Sequence, residues 1–207
     1  MHPGWGVPIA YALGSIPFAL IAGRLRGIDL RAHGSGNLGA TNALRVLGTR
    51  TGIAVYVLDT LKGFLAVVLI PRLFGLDAAT NWAVAYAVAA VAGHVRPLFL
   101  GFRQGGKGVA TAGGAFLALA PAAMLIALGV FTLLVVMTGY VSVGSLAATI
   151  ALIGVLLLTP GTPVLLSAVS VLLGAFLFWS HRANIARLRR GEEHRFRLPW
   201  HAPGGRG

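Results

Sequence analysis

The chain has 207 residues, of which 57% are hydrophobic and only 11% are charged, and its mean hydropathy is +0.81. Soluble globular domains carry roughly 25% charged residues, so this composition excludes an ordinary soluble protein and indicates an all-α integral membrane protein. The formal net charge of +12 comes from 17 lysines and arginines against five acidic residues. The lack of cysteine excludes disulfides and thiolate chemistry, and so few carboxylates argue against a carboxylate-rich metal centre. We therefore expect no metal and no cofactor.

The N-terminal half contains three apolar stretches of the length that a membrane helix requires. A helix needs about 20 apolar residues to cross the hydrocarbon core, and residues 4–23, 52–71 and 80–100 each predict one span. The first stretch lacks the basic region, short apolar core and cleavage site of a signal peptide, so we interpret it as a retained span.

The apolar block from about residue 109 to 180 is long enough for three full spans or four short ones. Proline and glycine mark the places where membrane helices end or turn. Such breaks occur at Pro121, at Gly139-Tyr140 and within residues 159–163. The block therefore divides into four pieces.

Lysine and arginine fall into three clusters, at residues 24–50, 96–107 and 182–206. Positively charged loops stay in the cytoplasm, so an even number of spans must separate neighbouring clusters, and this parity favours four spans over three in the last block. The prediction is seven transmembrane helices, with the N-terminus outside and the C-terminus cytoplasmic, in a single polytopic membrane domain of residues 1–207. Its main cytoplasmic parts are the loops at about 24–51 and 101–110 and the tail at about 181–207.

A run of small, polar and flexible residues interrupts the apolar pattern in the first cytoplasmic loop. Its members are Gly34, Ser35, Gly36, Asn37, Gly39, Thr41, Asn42 and Arg45. Glycine lets consecutive backbone N–H groups point at one ligand, the short polar side chains add donors, and the arginine supplies a positive fork. The run predicts an anion site of the phosphate type, although it matches neither the Walker nor the dinucleotide-binding pattern. The alternative is a flexible turn with helix-capping serine and asparagine.

A second glycine-rich run follows the third span on the same predicted face. It comprises Gly105, Gly106, Lys107, Gly108 and Thr111. We interpret Lys107 as a mobile ammonium that reaches a phosphate, aided by the N-terminus of the following helix. The alternative is a charged anchor that sets topology, a role for which a lysine between glycines is poorly suited. His94, at the end of the third span, is either a satisfied hydrogen-bonding residue or a member of the site.

Polar groups elsewhere in the apolar regions have two interpretations each. Asp59 and Lys62 lie on one helix face and either pair with each other or line the polar site. His181 and Asn184 also share a helix face and are expected to look into a site together, whereas the neighbouring arginines suit a basic tail that binds anionic lipid headgroups. Ser142 lies in the predicted cytoplasmic turn between two spans, where it either caps a helix or faces the site.

These motifs together resemble the bacterial acyl-phosphate:glycerol-3-phosphate acyltransferase family, and the likeness covers nearly the whole chain. It rests on the two glycine-rich runs, on Gly93-His94-x-x-Pro97, on Asp59-x-x-Lys62-Gly63, on Tyr140-Val141-Ser142-x-x-Ser145 and on the run from His181 to Glu193. In the family pattern the aromatic residue stands one position nearer the Gly-Gly-Lys, so Arg103-Gln104 reads as a one-residue insertion.

The resemblance implies an inner-membrane enzyme that transfers an acyl chain from acyl phosphate to the 1-hydroxyl of glycerol 3-phosphate. The products would be lysophosphatidic acid and phosphate, in the first acylation step of bacterial phospholipid synthesis. The partners of such an enzyme would be the two substrates and membrane lipid, and it would not bind nucleic acid. Acyl phosphate is already activated, because its leaving group is phosphate, so neither a covalent serine nor a metal is required. The active site would lie at the cytoplasmic face.

Roles follow from this resemblance residue by residue. The candidate catalytic residues are Ser35, Arg45, Lys107, His181 and Asn184. The candidate substrate- or phosphate-binding residues are Gly34, Gly36, Asn37, Gly39, Thr41, Asn42, His94, Gly105, Gly106, Gly108, Thr111 and Ser142. Arg45 and Lys107 would neutralise phosphate charge, and His181 with Asn184 would position glycerol 3-phosphate, so that the rate enhancement comes from alignment and electrostatic stabilisation. The proton acceptor stays open among His94, His181 and a phosphate oxygen of the substrate.

A transporter for phosphorylated or other anionic metabolites is the alternative function, since interior charges and broken helices also suit transport. A transporter predicts polar groups at mid-membrane and an internal inverted repeat. Nearly all the polar chemistry of this sequence lies instead on one predicted face.

Overall fold

The structure is a computed structural model that describes residues 1–77 and 80–196. Within these residues the chain is α-helical and has no β-strand, which agrees with the predicted class. The helices group into two compact units, Met1–Pro121 and Ala122–Gly207. The end of the predicted cytoplasmic tail, residues 197–207, lies outside the described residues.

The first unit contains helices α1 to α6. Their bounds are Gly6–Gly14 (α1), Phe18–Arg24 (α2), Ala40–Leu47 (α3), Thr49–Val68 (α4), Asn81–Val95 (α5) and Val109–Leu119 (α6), with 3₁₀ turns at Pro3–Trp5, Pro71–Phe74 and Leu98–Leu100. Pro17 separates α1 from α2, because its ring removes a backbone donor and disfavours helix in the residue before it. Thr80 caps α5, its Oγ1 accepting a hydrogen bond from the backbone N–H of Ala83 at 3.4 Å.

Glycines bring α4 and α6 into close contact. Gly63 of α4 lies against the backbone of Thr111 in α6, and Gly114 of α6 lies against the backbone of Thr60 in α4. A methyl group at either glycine would overlap the facing backbone, so small residues set the distance between these helices, as in other membrane helix pairs. The contact fixes the first turn of α6, where the second glycine-rich run ends, against α4.

Helix α3 occupies part of the region that the sequence predicts to be a loop. It begins after Gly39, whose backbone is extended, and it buries Ala43 and Leu47. These apolar residues lie four positions apart on one helix face, and their burial stabilises a helix despite the polar residues between them. The second half of the first glycine-rich run is therefore helical.

The second unit is built from helices α7 to α10. Their bounds are Pro121–Thr138 (α7), Val141–Leu158 (α8), Val164–Ser180 (α9) and Arg182–Arg189 (α10). Gly174 of α9 leaves room for Ile153 of α8, whose side chain occupies the space that a methyl group would need. The sequence predicts a helix that continues through His181, whereas α9 and α10 meet there at a bend of 54°.

The chain is a multi-pass membrane protein. Among the described residues, five helical stretches are long and apolar enough to cross a bilayer: Pro3–Arg24, Thr49–Phe74, Asn81–Leu100, Pro121–Thr138 and Val141–Leu158. The bent pair α9 and α10 is a sixth candidate if it counts as one span. The three predicted N-terminal stretches coincide with candidate spans, and the predicted helix breaks at Pro121, Gly139-Tyr140 and residues 159–163 are confirmed.

The remaining predicted span corresponds to α6, which is apolar but has only 11 residues. At 1.5 Å per residue its length is about 16 Å, roughly half of the ~30 Å hydrocarbon core. The count of seven spans and their orientation therefore stay predictions.

Candidate active site

The first glycine-rich run folds around the side chain of Asn42. The Oδ1 of Asn42 accepts a hydrogen bond from the backbone N–H of Ser35 at 2.9 Å. Its Nδ2 donates to the backbone oxygens of Leu30 at 3.2 Å and His33 at 3.1 Å. Because Asn42 is 1% exposed, these bonds form away from competing water and hold residues 30–35 in one shape.

Two glycines give this turn its backbone conformation. Gly34 has φ +62° and Gly36 has φ +70°, values in the left-handed region that favours glycine. The next residue, Asn37, has a buried Oδ1 without a hydrogen-bond partner among the described residues. A buried acceptor of this kind is costly unless a partner reaches it.

The polar groups on the outside of the run are Ser35, Thr41 and Arg45, all of which are exposed. Thr41 and Arg45 lie four residues apart on α3, so they share one face of that helix. The face presents a hydroxyl and a guanidinium together.

The two glycine-rich runs belong to segments that pack on one hydrophobic cluster. Leu38, Ala43 and Leu47, from the first run and α3, are buried members of this cluster. Leu100, from the 3₁₀ turn just before the second run, packs against it. The fold of the first unit thus connects both runs through shared apolar packing.

The second run lies along the end of α5. The backbone N–H of Gly105 donates to the carbonyl of Val95 at 2.9 Å, and that of Gly106 donates to the carbonyl of His94 at 3.2 Å. Gly108, with φ +90°, is the N-cap of α6, which begins at Val109. Lys107 is half-buried and directly precedes this cap, where the N–H groups of a helix favour an anion.

Three titratable side chains are buried beside the second run. The Nζ of Lys62 lies 2.8 Å from Asp59 Oδ1, and both side chains are 2% exposed. The Nδ1 of His94 lies 3.5 Å from the same oxygen. Lys62 also donates to the backbone oxygen of Ile16 at 2.9 Å. The predicted pairing of Asp59 with Lys62 is confirmed, and it compensates charges that would be costly alone in an apolar interior.

In the second unit, the carboxylate of Glu193 gathers three side chains. Its Oε1 accepts hydrogen bonds from Ser142 Oγ at 2.9 Å and from Asn184 Nδ2 at 2.6 Å, and its Oε2 accepts one from Arg187 Nε at 2.7 Å. Burial alone would raise the pKa of Glu193, but the hydrogen bonds from Asn184, Arg187 and Ser142 lower that pKa below its ordinary value. Glu193 is therefore ionised at neutral pH.

His181 lies at the bend between α9 and α10 and is 3% exposed. Its Nδ1 lies 2.8 Å from the backbone oxygen of Leu177 and 3.3 Å from Ser180 Oγ. A carbonyl oxygen can only accept, so the bond to Leu177 requires a proton on Nδ1 and makes Nε2 the acceptor of the neutral imidazole.

A model of the glycerol-3-phosphate acyltransferase family matches residues 5–191. The chain belongs to this family. Similar curated proteins named glycerol-3-phosphate acyltransferase include that of Aquifex aeolicus, 42% identical over 92% of this chain and 97% of the relative. Another is that of Trichlorobacter lovleyi, 47% identical over 91% of this chain and 94% of the relative.

Two crystal structures of PlsY, an integral membrane glycerol 3-phosphate acyltransferase, have the same fold. The glycerol 3-phosphate form matches with a TM-score of 0.87 and 40% identity, over 94% of this chain and 96% of that chain. The lysophosphatidic acid form matches with a TM-score of 0.84 and 39% identity, over 94% and 95%. The family resemblance that the sequence motifs predict is confirmed.

In this family member, the predicted site residues differ in what they contact. Ser35, Thr41 and Arg45 are exposed, whereas Asn42 bonds to the turn itself. Thr111 is fully buried against α4, and its Oγ1 has no hydrogen-bond partner among the described residues. The roles of all these residues stay predictions.

Sequence reasoning did not choose Glu193 as a site residue, although it binds the predicted residues Ser142 and Asn184. A signal was available, because Glu193 is the last residue of the C-terminal run that carries the family resemblance. Its contact with Ser142, 51 positions away, depends on packing that the local sequence does not show.

Proposed function

We propose that the chain transfers an acyl group from acyl phosphate to the 1-hydroxyl of glycerol 3-phosphate. The observation that carries this proposal is in the first unit. Arg45 lies on α3, whose Ala43 and Leu47 belong to one buried cluster, and Lys107 precedes α6 in the segment whose Leu100 packs against the same cluster. Two cationic groups suit two phosphorylated substrates. The family, and the glycerol 3-phosphate and lysophosphatidic acid forms of PlsY, support the same reaction.

The reaction needs no group beyond its two substrates. The 1-hydroxyl oxygen attacks the acyl carbonyl carbon, the bond from that carbon to the phosphate oxygen breaks, and the hydroxyl proton passes to a base or to the departing phosphate. Lysophosphatidic acid and phosphate result. Since the donor is already activated, catalysis requires alignment of the two substrates and stabilisation of negative charge that develops on the carbonyl and phosphate oxygens.

In the first unit, Arg45 and Lys107 neutralise phosphate charge, with the backbone N–H groups at the start of α6 as further donors. Ser35 and Thr41 orient the phosphate from the exposed side of the first run. Asn42 acts through the turn, because its amide is engaged with residues 30–35. The buried Oδ1 of Asn37 is suited to accept a hydrogen bond from a substrate hydroxyl.

In the second unit, His181 and Asn184 position glycerol 3-phosphate. The contact of Nδ1 with the backbone oxygen of Leu177 fixes the orientation of the His181 imidazole. Glu193 keeps the amide of Asn184 and the hydroxyl of Ser142 in fixed orientations. Ser142 therefore contributes through Glu193 in this proposal.

The proposed topology has seven crossings, with the N-terminus outside and the glycine-rich runs and the C-terminus on the cytoplasmic side. The proposed seventh crossing combines α6 with the extended residues just before it, which lie at the cytoplasmic edge of the membrane and add about 3.3 Å each. Gly105 and Gly106 are buried and hydrogen-bonded to α5, which is the condition for non-helical backbone inside a membrane. The chain would act as one polytopic domain in the bacterial inner membrane.

The function is tested with purified protein in lipid, labelled glycerol 3-phosphate and palmitoyl phosphate. The wild-type protein should form lysophosphatidic acid and phosphate in equal amounts, and Lys107→Ala should lose activity by about 100-fold or more, as expected when one preorganised charged donor is removed. Arg103→Ala is the matched control, because Arg103 is exposed in the same loop and should stay near wild-type activity.

Normal turnover in Lys107→Ala would remove this lysine from the site. Absence of product in the wild-type protein would refute the function. Exchange of glycerol 3-phosphate across sealed vesicles without lysophosphatidic acid would establish a transporter instead.

A further inference from the structure

Gly106 has an unexpected neighbour for a glycine of a phosphate-type loop. Its φ is not in the positive region that favours glycine, unlike that of Gly108. A side chain is nevertheless excluded, because a Cβ on Gly106 would overlap the imidazole of His94, with Cε1 at 2.7 Å and Cδ2 at 3.0 Å in addition to the closer Nε2. The requirement for glycine at this position is therefore steric, and the three atoms nearest to that Cβ all belong to the side chain of His94.

The imidazole of His94 faces a buried carboxylate on its other side. His94 is 6% exposed, and its Nδ1 faces Asp59 Oδ1 at 3.5 Å. Asp59 is in turn held by Lys62, 2.8 Å from the same oxygen, and Lys62 donates to the carbonyl of Ile16 at the break between α1 and α2. A chain of polar contacts thus runs from that break through α4 to the ring that meets Gly106.

We propose that His94 is a positioning residue for the second glycine-rich run. Its imidazole, which lies between Asp59 and Gly106, supports the backbone at Gly106, and its own carbonyl accepts the N–H of Gly106 at 3.2 Å. The position from which Lys107 extends is set by these two contacts. This role rests on the proposed function of Lys107, and it places His94 behind the loop, where it does not touch the substrate.

A lysine whose backbone is held in one position binds phosphate better than one on a flexible loop, because less conformational entropy is lost on binding. Removing the ring leaves a gap beside Gly106, into which the loop can shift. A misplacement of about 1 Å at a catalytic group can cost about 100-fold in rate. His94→Ala should therefore lower kcat/KM by weakening the contribution of Lys107 to phosphate binding.

The steric part is tested with Gly106→Ala alone and in the His94→Ala background. In wild type, Gly106→Ala should lower kcat/KM by about 10- to 100-fold, the range expected of overpacking. Once the ring is gone, the same substitution should cost less than about 2-fold. Gly105→Ala is the matched control, because its Cβ would meet the carbonyl of His94 and the Pro97 ring, which His94→Ala leaves in place. It should cost the same in both backgrounds.

The positioning part is tested by adding His94→Ala to Lys107→Ala. If His94 acts through Lys107, its removal costs about 10-fold or more in wild type but less than about 2-fold when Lys107 is absent. A general structural role would produce the same loss in both backgrounds and would overturn the proposal. An equal cost of Gly106→Ala with and without the ring would overturn it as well.

Thermal unfolding separates this proposal from the proposed function. Gly106→Ala should lower Tm in wild type and leave it unchanged in the His94→Ala background, a result that needs no substrate. If wild type forms no lysophosphatidic acid, the proposed function and the role for Lys107 both fail, while Tm still reports the contact between ring and glycine. If wild type is active and the effects of His94→Ala add independently to those of Gly106→Ala and of Lys107→Ala, only the proposed role of His94 fails.

Discussion

Replacing Asp59 by asparagine should destabilise the protein strongly, because it leaves the ammonium of Lys62 buried without its counterion. The two groups are 2.8 Å apart, with side chains 2% exposed. At an effective dielectric constant of about 20, unit charges at this distance attract by about 6 kcal/mol. Lys62 keeps its bond to Ile16 and the ring of Phe18, 5.5 Å from its Nζ, so the net cost should be about 3–5 kcal/mol.

The assay is thermal unfolding of the purified protein in detergent, at neutral pH. For a chain of this size, each 1 kcal/mol lowers Tm by about 2–4 °C, so Asp59→Asn should lower Tm by about 6–20 °C. Asp29→Asn is the matched control. Asp29 and Arg31 are similarly close, 2.7 Å apart, but their side chains are 46% and 48% exposed, so water and salt replace the lost partner and Tm should change little.

Adding Lys62→Met to Asp59→Asn should recover part of the loss, since the unpaired charge is then gone. Equal Tm shifts in Asp59→Asn and Asp29→Asn would show that burial does not raise the cost of losing a carboxylate, contrary to this prediction. A double variant less stable than Asp59→Asn would also contradict it.

Three further predictions concern charge, pH and topology. Arg45→Lys should lower kcat/KM by about 10-fold or more, because an ammonium lacks the bidentate geometry with which a guanidinium binds phosphate. Arg50→Lys, which changes an exposed arginine of α4, should have near-normal activity. Equal effects of the two substitutions would show that Arg45 does not bind phosphate in a bidentate manner. Because its pKa is lowered in the folded protein, Glu193 contributes stability that is present above the ordinary pKa of 4.5 and is lost as pH falls below 4.5. The Tm difference between wild type and Glu193→Gln should therefore shrink in acid. A Tm difference that does not change with pH would contradict this. A single cysteine at Ser35 should react with impermeant reagent only from the cytoplasmic side and one at Asp77 only from outside; the same accessibility for both would refute the topology.

The candidate spans were predictable because they depend on the length of the apolar stretches and on the proline and glycine residues that separate them. A stretch of about 20 apolar residues has few alternatives to a membrane helix, and Pro121 and Gly139 mark real helix ends. Helix α3 was missed, because the polar Thr41 and Asn42 obscure the apolar face that Ala43 and Leu47 form. A short amphipathic helix acquires its stability from packing, which sequence alone does not display.

The candidate site was predictable in its residue types and less so in its connections. The pairing of Asp59 with Lys62 follows from i, i+3 spacing, whereas the contact of His94 with Asp59 joins two helices and depends on their packing. The same holds for Glu193, which reaches Ser142 across 51 positions of the chain. Nothing in the local pattern of the tail distinguishes this carboxylate from its exposed neighbour Glu192.

The most direct test of the central claim is a comparison of acyl donors with the purified protein in lipid. Labelled glycerol 3-phosphate is offered with acyl phosphate, acyl-CoA or acyl carrier protein of the same chain length, each with and without chelator. We expect lysophosphatidic acid with acyl phosphate alone, in an amount that chelator does not change and that inorganic phosphate lowers by competing for the cationic groups. Equal use of acyl-CoA, or activity that depends on added metal, would contradict it.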